Sequence, residues 1–269
     1  LMSARLRLVR APLWVPTPHN RRLHRAIKHL NQVVDGFIAQ GKARGAGDDL
    51  LSRLVAARDD DGSRMTEAQL RDEAMTLYLA GHETTALTLS WAWYLLARHP
   101  HAEEKLAAEW AAVLDGRTPT ADDLQRLPYT DAVLSEAMRV LPPVYLIGRE
   151  ATRELELGGY VVRRGYTVFM SQWVSHRDPR HFGPDPEAFR PERWLDGLAK
   201  RLPRYAYYPF GGGPRVCIGN TFALMEAAVI LAAVGQKYRF TLATDEPVEM
   251  DPQITLLPKD GIPAVLARR

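Results

Sequence analysis

Cys217 is the only cysteine of the chain, and its neighbours are unusual for a buried core residue. Three consecutive glycines and Pro214 precede it, and Gly219 follows two residues later. Such a segment is suited to a tight loop that lets a large planar group approach the backbone. Apolar periodicity over 218–238 predicts a helix directly after the loop, and a helix N-terminus stabilises a thiolate. The pattern favours a metal-ligating sulfur over the small buried hydrophobe that a lone cysteine more commonly is.

The rest of the chain limits which metal this sulfur could bind. Structural zinc sites and iron–sulfur clusters draw several Cys or His ligands at short spacings. The eight histidines show no paired spacing near Cys217. Haem iron needs only one protein ligand, because the porphyrin nitrogens already hold it. We therefore predict a haem ligated by Cys217, and a thiolate in that position favours O–O cleavage.

A second constellation, Ala80-Gly-His-Glu-Thr-Thr85, places an acid beside an alcohol in a stretch otherwise rich in apolar residues. Burying Glu83 and Thr84 costs free energy unless both have partners. Thr84 can bond back to a carbonyl one turn earlier and bend its helix, and Gly81 leaves room for a small molecule. An acid–alcohol pair can relay protons to dioxygen. In the alternative interpretation, Gly81 eases packing and Glu83 faces water.

A third pair, Glu136 and Arg139, has the spacing of an ion pair on one helix. Such a pair contributes little on a solvated surface. Together with the two segments above, it gives the chain a resemblance to the cytochrome P450 family. The signature positions of that family's haem-binding loop are matched by Phe210, Gly213, Arg215, Cys217 and Gly219. Ala80–Thr85 resembles its oxygen-activation motif, and Glu136–Arg139 resembles its Glu-x-x-Arg motif.

The resemblance assigns roles to these residues. It makes Cys217 the axial ligand of haem b, Thr84 the hydrogen-bond donor to dioxygen and Glu83 the source of protons. Phe189–Trp194 resembles the segment whose arginine, here Arg193, joins Glu136 and Arg139 in a buried triad, which we expect to be structural. The expected haem contacts are Phe210, Gly213, Arg215, Gly219, Arg149 and Ala80, with the two arginines pairing the propionates.

The substrate pocket is implied only by the resemblance, and its residues would look the same as plain core. They are Leu79, Val144, Tyr145, Leu146, Thr255 and Leu256. Mostly apolar walls indicate a hydrophobic small-molecule substrate. We interpret His176, in Ser-His-Arg-Asp-Pro, as a satisfied structural histidine rather than a second haem ligand.

The elements that must position these residues are mostly helical. Thr66 and Gln69 predict a capping box that opens a helix over 66–99, roughly 50 Å long and apolar on most faces, so we expect it to be central and buried. Further helices are predicted within 23–38, 48–55, 103–114, 122–126, 130–140 and 218–238. Short antiparallel strands with tight turns are predicted over 155–169, irregular structure over 175–202 and short strands over 240–266.

The predicted fold class is therefore mainly α with small antiparallel β-sheets, as in the cytochrome P450 fold. Members of that family are considerably longer, so we expect 1–269 to be the C-terminal portion of a single such domain, without its N-terminal part. No signal peptide is visible, and the composition is that of a soluble protein, which predicts a cytoplasmic location. Membrane association through the absent part stays open. The net charge of +3, without a basic block carrying aromatics, predicts no nucleic-acid partner.

The favoured function is a haem-thiolate monooxygenase that inserts one atom of dioxygen into a hydrophobic substrate. Its electrons would come from a separate donor, a ferredoxin or flavodoxin with its reductase or a flavoprotein reductase, because no such domain is fused here. Two alternatives stay open. One is a peroxide-driven peroxygenase or an isomerase, and the other is a haem-binding fragment without turnover.

Overall fold

The computed structural model describes residues 12–45 and 47–269. The chain divides between Glu83 and Thr84 into two compact units, an N-terminal and a C-terminal one. The division falls within the long helix α3 (Glu67–Arg98), which lies where the capping box predicts it. That box is formed, because Thr66 N–H donates to Gln69 Oε1 at 2.9 Å and Gln69 N–H donates to Thr66 Oγ1 at 3.2 Å.

The N-terminal unit contains α1 (Pro18–Arg44), α2 (Leu50–Ala56) and the first part of α3. Each of the first two helices has a polar residue at its start that accepts an orphan backbone N–H. Thr17 Oγ1 accepts from Asn20 at 3.1 Å, and Asp49 Oδ1 accepts from Ser52 at 2.9 Å. The small core of this unit is formed by Val34, Ile38 and Leu70.

The C-terminal unit holds the remaining helices, of which three are long. They are α4 (Pro100–Leu114), α5 (Pro128–Val140), the one-turn helices α6 (Gln172–Ser175), α7 (Pro179–Phe182), α8 (Glu192–Leu195) and α9 (Leu198–Arg201), and α10 (Asn220–Gly235). Two 3-10 helices cover Ala121–Arg126 and Gly213–Arg215. The irregular structure predicted over 175–202 is thus broken by one-turn helices, which the prolines and glycines of that segment keep short.

The expectation that α3 is buried along its whole length is wrong for its first half. Of residues 67–83, only Leu70 is buried, because charged residues such as Arg71 and Glu73 favour water. The second half carries Trp91 and Leu96, and these contribute to the main core of the C-terminal unit. Helices α4, α5 and α10 supply much of the rest of that core.

Helix α5, which carries Glu136 and Arg139, is fixed at its N-terminus by a side chain from α4. The Glu109 carboxylate accepts the backbone N–H groups of Tyr129 at 2.6 Å and Thr130 at 2.9 Å. It also accepts the Thr130 hydroxyl at 2.7 Å. These bonds satisfy donors that a helix start otherwise leaves unpaired, so they set where α5 begins.

The strands are β1 (Leu146–Glu150), β2 (Leu155–Leu157), β3 (Tyr160–Val162), β4 (Thr167–Ser171), β5 (Tyr238–Leu242), β6 (Met250–Pro252), β7 (Leu256–Pro258) and β8 (Ala264–Arg268). They form antiparallel pairs β1–β4, β2–β3, β5–β8 and β6–β7. Gly158 and Gly159, both with positive φ, make the tight turn between β2 and β3. The mainly helical fold with small antiparallel sheets is therefore confirmed. Within the described residues, no helix has both the length and the apolarity needed to cross a membrane.

Candidate thiolate site

The segment 210–219, here called the Cys loop, is shaped by backbone hydrogen bonds. Cys217 N–H donates to Phe210 O at 3.0 Å, and Gly211 N–H donates to Tyr208 O at 2.9 Å. Gly211 and Gly213 have φ of 72° and 70°, in the left-handed region that favours glycine. The glycines therefore fold the segment back on itself, so that Cys217 lies beside the start of the loop.

The Cys217 side chain is exposed, three residues before the first residue of α10. The apolar side chains around it are exposed as well. Ile218 is 90% exposed and Phe222 is 62% exposed, and Val216 is also in contact with solvent. Large apolar side chains gathered around a thiol form a surface suited to a large apolar ligand.

Strand β1 contacts the Cys loop and carries a cation, Arg149. A Cβ added to Gly211 would lie 3.9 Å from Ile147 Cδ1, which brings the loop and the strand into contact. Arg149 follows Ile147 by two residues, so it is on the same face of β1. Its Nη1 donates to Gly148 O at 2.8 Å. Within residues 12–45 and 47–269, neither Arg149 nor the exposed Arg215 pairs with a carboxylate.

These residues fit a haem. An accessible thiol can serve as its axial ligand, the exposed apolar side chains can cover a porphyrin face, and the two guanidinium groups can bind its carboxylates. A metal ion held by protein ligands alone has no comparable support. In the part of the chain that the structure describes, no group of three or more His, Cys, Asp or Glu could hold one.

In the C-terminal unit, Glu136, Arg139 and Arg193 form a buried triad. Glu136 and Arg139 are 0% exposed, and Arg139 Nε and Nη2 each donate to the Glu136 carboxylate at 2.8 Å. Arg193 Nε lies 3.3 Å from Glu136 Oε1. This arrangement is bidentate on one side and has a second cation on the other, which is the geometry that a buried carboxylate needs.

The triad also ties neighbouring segments together. Arg139 donates to the backbone oxygens of His176 at 2.9 Å, Pro186 at 2.5 Å and Ala188 at 2.9 Å. The Glu136 carboxylate accepts from the Trp194 indole at 2.8 Å. Because these bonds use most of the donors and acceptors of the triad, it holds 176–194 against α5. Its geometry is that of a scaffold, without a group presented to a ligand.

His176 is buried, as expected for a structural histidine, but only one of its ring nitrogens is hydrogen-bonded, since Nδ1 has no hydrogen-bond partner among the described residues. Its Nε2 accepts the backbone N–H of Tyr208 at 2.9 Å. Burial and the nearby cations Arg139 and Arg177 lower the pKa of His176 to about 3. The ring is therefore neutral at physiological pH.

Tyr205 is a feature that sequence patterns missed. It has φ of 67°, which is unusual for a non-glycine residue, and its ring covers the backbone of Gly212. A Cβ on Gly212 would lie 2.3 Å from Tyr205 Cε1, so glycine is required there by contact rather than by conformation. Only the strained backbone at Tyr205 brings its ring to the Cys loop, and no local pattern signals that strain.

The Ala80–Thr85 segment, predicted to activate oxygen, contains the point where the chain divides into its two units, and its residues differ in exposure. Ala80, Gly81 and Glu83 are exposed, Thr84 is half-buried and Thr85 is buried. A Cβ on Gly81 would meet nothing within 4 Å, so packing among the described residues does not demand glycine there. Thr88 Oγ1 donates to Thr84 O at 2.9 Å, a bond of the kind that bends helices.

The residues of the C-terminal unit that were predicted to line a substrate pocket lie in two segments that contact each other. Leu256 N–H donates to Pro143 O at 2.8 Å, and Tyr145 OH donates to Gln253 O at 2.6 Å. Thr255 and Leu256 are buried, and Leu256 belongs to the main core. Val144 and Tyr145 are half-buried and Leu146 is exposed, while Leu79 is half-buried in the N-terminal unit.

Three relatives of the chain are bacterial proteins of about twice its length. Cyclooctatin synthase of Streptomyces melanosporofaciens is 45% identical over 245 residues, which are 90% of this chain and 53% of that protein. Cyclooctat-9-en-7-ol 5-monooxygenase of the same organism is 41% identical over 235 residues, which are 85% of this chain and 51% of that protein. Pentalenene oxygenase of Streptomyces avermitilis is 37% identical over 235 residues, which are 87% of this chain and 52% of that protein. The chain spans about half the length of each.

The family of the chain is identified by a family model that matches nearly all of its residues. The family model described as cytochrome P450 matches residues 3–264. That range contains the Cys loop, the triad and the Ala80–Thr85 motif, the three features from which the sequence resemblance was drawn. The chain therefore belongs to the cytochrome P450 family.

Proposed function

We propose that the protein of this chain is a haem-thiolate monooxygenase that inserts one atom of dioxygen into a hydrophobic organic substrate. The observation that carries the proposal is the exposed Cys217 thiol, presented by a glycine-shaped loop among exposed apolar side chains. The family supplies the cofactor class, and three relatives carry oxygenase, monooxygenase or synthase in their names.

In this proposal, the Cys loop and β1 bind haem b. Cys217 would ligate the iron as a thiolate, and Phe210 would pack beside the sulfur. Gly213 and Gly219 have no side chains that would obstruct the approach of the porphyrin to the loop. Arg149 and Arg215 bind the propionates, because neither is paired with a carboxylate in the described residues. When bound, the haem supplies the activation of dioxygen, which the thiolate promotes.

The motif on α3 contributes proton handling and space. Thr84 donates a hydrogen bond to dioxygen through its hydroxyl, and Glu83 returns the proton that the hydroxyl passes on. Ala80 and Gly81 present little bulk one turn earlier. An exposed carboxyl such as Glu83 can exchange protons with water, which is what a relay end requires.

The proposed substrate is apolar and the proposed electron donor is a separate protein. Val144, Tyr145, Leu146 and Thr255 offer mostly apolar surface near β1, with Leu79 and Leu256 as further wall residues. Two relatives name the compounds pentalenene and cyclooctat-9-en-7-ol, which agrees with an apolar substrate class. A ferredoxin or flavodoxin with its reductase, or a flavoprotein reductase, would deliver the electrons.

The ligand is tested by the absorption spectrum of the reduced, carbon-monoxide-bound protein after haem reconstitution. We expect the red-shifted Soret band of a thiolate ligand, and its loss in Cys217→Ser. Cys217→His is the matched control, because imidazole retains haem but gives a different band. Folded, haem-loaded wild-type protein without the thiolate band would contradict the proposal.

The relay is tested by the ratio of product formed to electrons consumed. We expect Thr84→Ala to lower this coupling severalfold while leaving substrate binding unchanged, and Thr84→Ser to retain it because the hydroxyl is kept. If the alanine variant stays fully coupled, the proposed role of Thr84 is refuted.

A further inference from the structure

His176 lies at the start of a short chain of hydrogen bonds that ends at Cys217. Its Nε2 accepts Tyr208 N–H at 2.9 Å. Tyr208 O accepts Gly211 N–H at 2.9 Å, and Phe210 O accepts Cys217 N–H at 3.0 Å. The backbone of Tyr208 is thus held on its N–H side by the imidazole and on its carbonyl side by the Cys loop. Tyr208 is the last residue that a buried side chain anchors before the loop begins.

The imidazole is itself held rigidly. The backbone oxygen of His176 accepts Arg139 Nη1 at 2.9 Å, so the histidine is attached to the triad. Its ring packs against Tyr207 with centroids 4.9 Å apart and meets Tyr208 edge-on at 5.3 Å. Because Arg139 holds the backbone of His176 and the ring packs against both tyrosines, the position of α5 is transmitted to Tyr208.

Only the neutral form of histidine has a ring nitrogen that can accept a hydrogen bond. The buried site keeps this form, since protonation would place a third cation beside Arg139 and Arg177. With Nε2 as the acceptor, the ring proton is on Nδ1. The acceptor is therefore present whenever the protein is folded near neutral pH.

We propose that His176 is a positioning residue for the Cys217 thiolate. By accepting Tyr208 N–H, it fixes the point from which the Cys loop departs and so sets the direction of the sulfur toward the iron. The proposal rests on the haem-thiolate function proposed above. It goes further than a role in packing, because it depends on one acceptor atom rather than on the volume of the ring.

Variants at position 176 can separate the acceptor from the volume. His176→Phe keeps a planar ring without an acceptor, whereas His176→Gln keeps a carbonyl acceptor in a smaller side chain. Ser175→Ala is the control, because it removes the contact of Ser175 Oγ with Tyr208 OH at 3.1 Å and leaves Tyr208 N–H bonded. Each variant is reconstituted with haem, reduced and exposed to carbon monoxide.

We expect His176→Phe to lower the ratio of thiolate to non-thiolate Soret absorbance severalfold, and His176→Gln to restore most of it. Ser175→Ala should retain the wild-type ratio. In parallel, amide hydrogen exchange at Tyr208, Gly211 and Cys217 should accelerate roughly tenfold in His176→Phe, as expected from the loss of one buried hydrogen bond. A folded His176→Phe protein with the wild-type spectrum and wild-type exchange would overturn the proposal.

Exchange in the unmodified chain gives a test that does not depend on the folding of a variant. Tyr208 N–H should exchange at least tenfold more slowly than the amides of Arg204 and Tyr205, which donate to no buried side chain among the described residues. Exchange of Tyr208 as fast as those neighbours would overturn the anchor. A wild-type protein without the thiolate band but with a protected Tyr208 amide would instead refute the proposed function and leave the anchor intact.

Discussion

The triad and the Cys loop lie in the same compact unit and use reactive side chains in opposite ways. Glu136 and Arg139 are fully buried, their charged groups are bonded to each other, and Arg139 also donates to backbone oxygens. Cys217 is exposed, and the Cys loop around it is held by backbone hydrogen bonds. The comparison indicates that the triad contributes stability and the loop contributes chemistry.

The triad is connected to the Cys loop through two hydrogen bonds of His176, which are here called the link. Arg139 binds the backbone of His176, and the ring of His176 binds the backbone of Tyr208, just before the loop. Tyr205 covers Gly212 from another side. If the division of labour is correct, changes in the triad should unfold the protein, changes at the link should disturb the loop, and changes at the sulfur should leave the fold unaltered.

The largest effect is expected from breaking the triad at its anion. Glu136→Ala leaves Arg139 and Arg193 buried without their shared carboxylate, so we expect the free energy of unfolding to fall by about 3–5 kcal/mol. Glu249→Ala is the control, because Glu249 and Lys259 form an exposed pair at 2.8 Å. Its loss should cost less than about 1 kcal/mol. Urea unfolding measures both, and equal losses would contradict the comparison.

The next effect is a dependence of stability on pH at the link. His176 has a pKa of about 3 in the folded protein against 6.5 as its ordinary value, so between these values only the unfolded state binds the proton. Stability from His176 is therefore complete above pH 6.5 and is lost as pH falls, at about 1.4 kcal/mol per pH unit. The ring faces the cations Arg139 and Arg177 and the side chain of Tyr207, whose pKa is raised by burial, so the tyrosine stays uncharged over this range.

The measurement compares wild-type protein with His176→Gln by urea unfolding at several pH values between 7 and 5. Above pH 5, protonation of ordinary carboxyl groups contributes little. The difference in stability between the two proteins should shrink by about 2 kcal/mol from pH 7 to 5. A constant difference would mean that the histidine is protonated in the folded state or exposed to water.

A smaller effect is expected where Tyr205 meets the loop. Gly212→Ala places a Cβ 2.3 Å from the Tyr205 ring, so the ring or the loop must move, and we expect a loss of about 1–2 kcal/mol. Tyr205→Ala removes the clash, so the double variant should lose less than the sum of the two single variants. Thermal unfolding of all four proteins completes the cycle. Additive losses would mean that the ring does not cover Gly212.

The elements that local sequence signals predict are the ones whose cause is local. The capping box at Thr66 and Gln69 is formed, and the glycine turn between β2 and β3 lies where Gly158 and Gly159 predict it. Pro100 begins α4, at the end of the predicted long helix. In each case, the residues that set the boundary of the element lie within about four positions of it.

What sequence patterns missed depends on contacts between distant segments. Glu109 caps α5 from 20 residues away, and His176 accepts Tyr208 N–H across 32 residues. The paired strands β5 and β8 are likewise distant in sequence, since the segment 243–263 lies between them. The sequence shows that such residues are polar, but it does not show which distant backbone group each of them will hydrogen-bond. The burial of α3 was overestimated for the same reason, since an apolar stretch does not state what will pack against it.

The smallest effect on stability is expected at the sulfur itself. Cys217 is exposed, and the bond that it makes to Phe210 uses its backbone N–H, which serine retains. Cys217→Ser should therefore change the free energy of unfolding of the haem-free chain by no more than about 0.5 kcal/mol, the usual range for surface substitutions. The same substitution should abolish the thiolate band. A residue that is dispensable for folding and required for the spectrum is held for its chemistry, whereas a clear loss of stability would make the thiol part of the scaffold and end the distinction between the two regions.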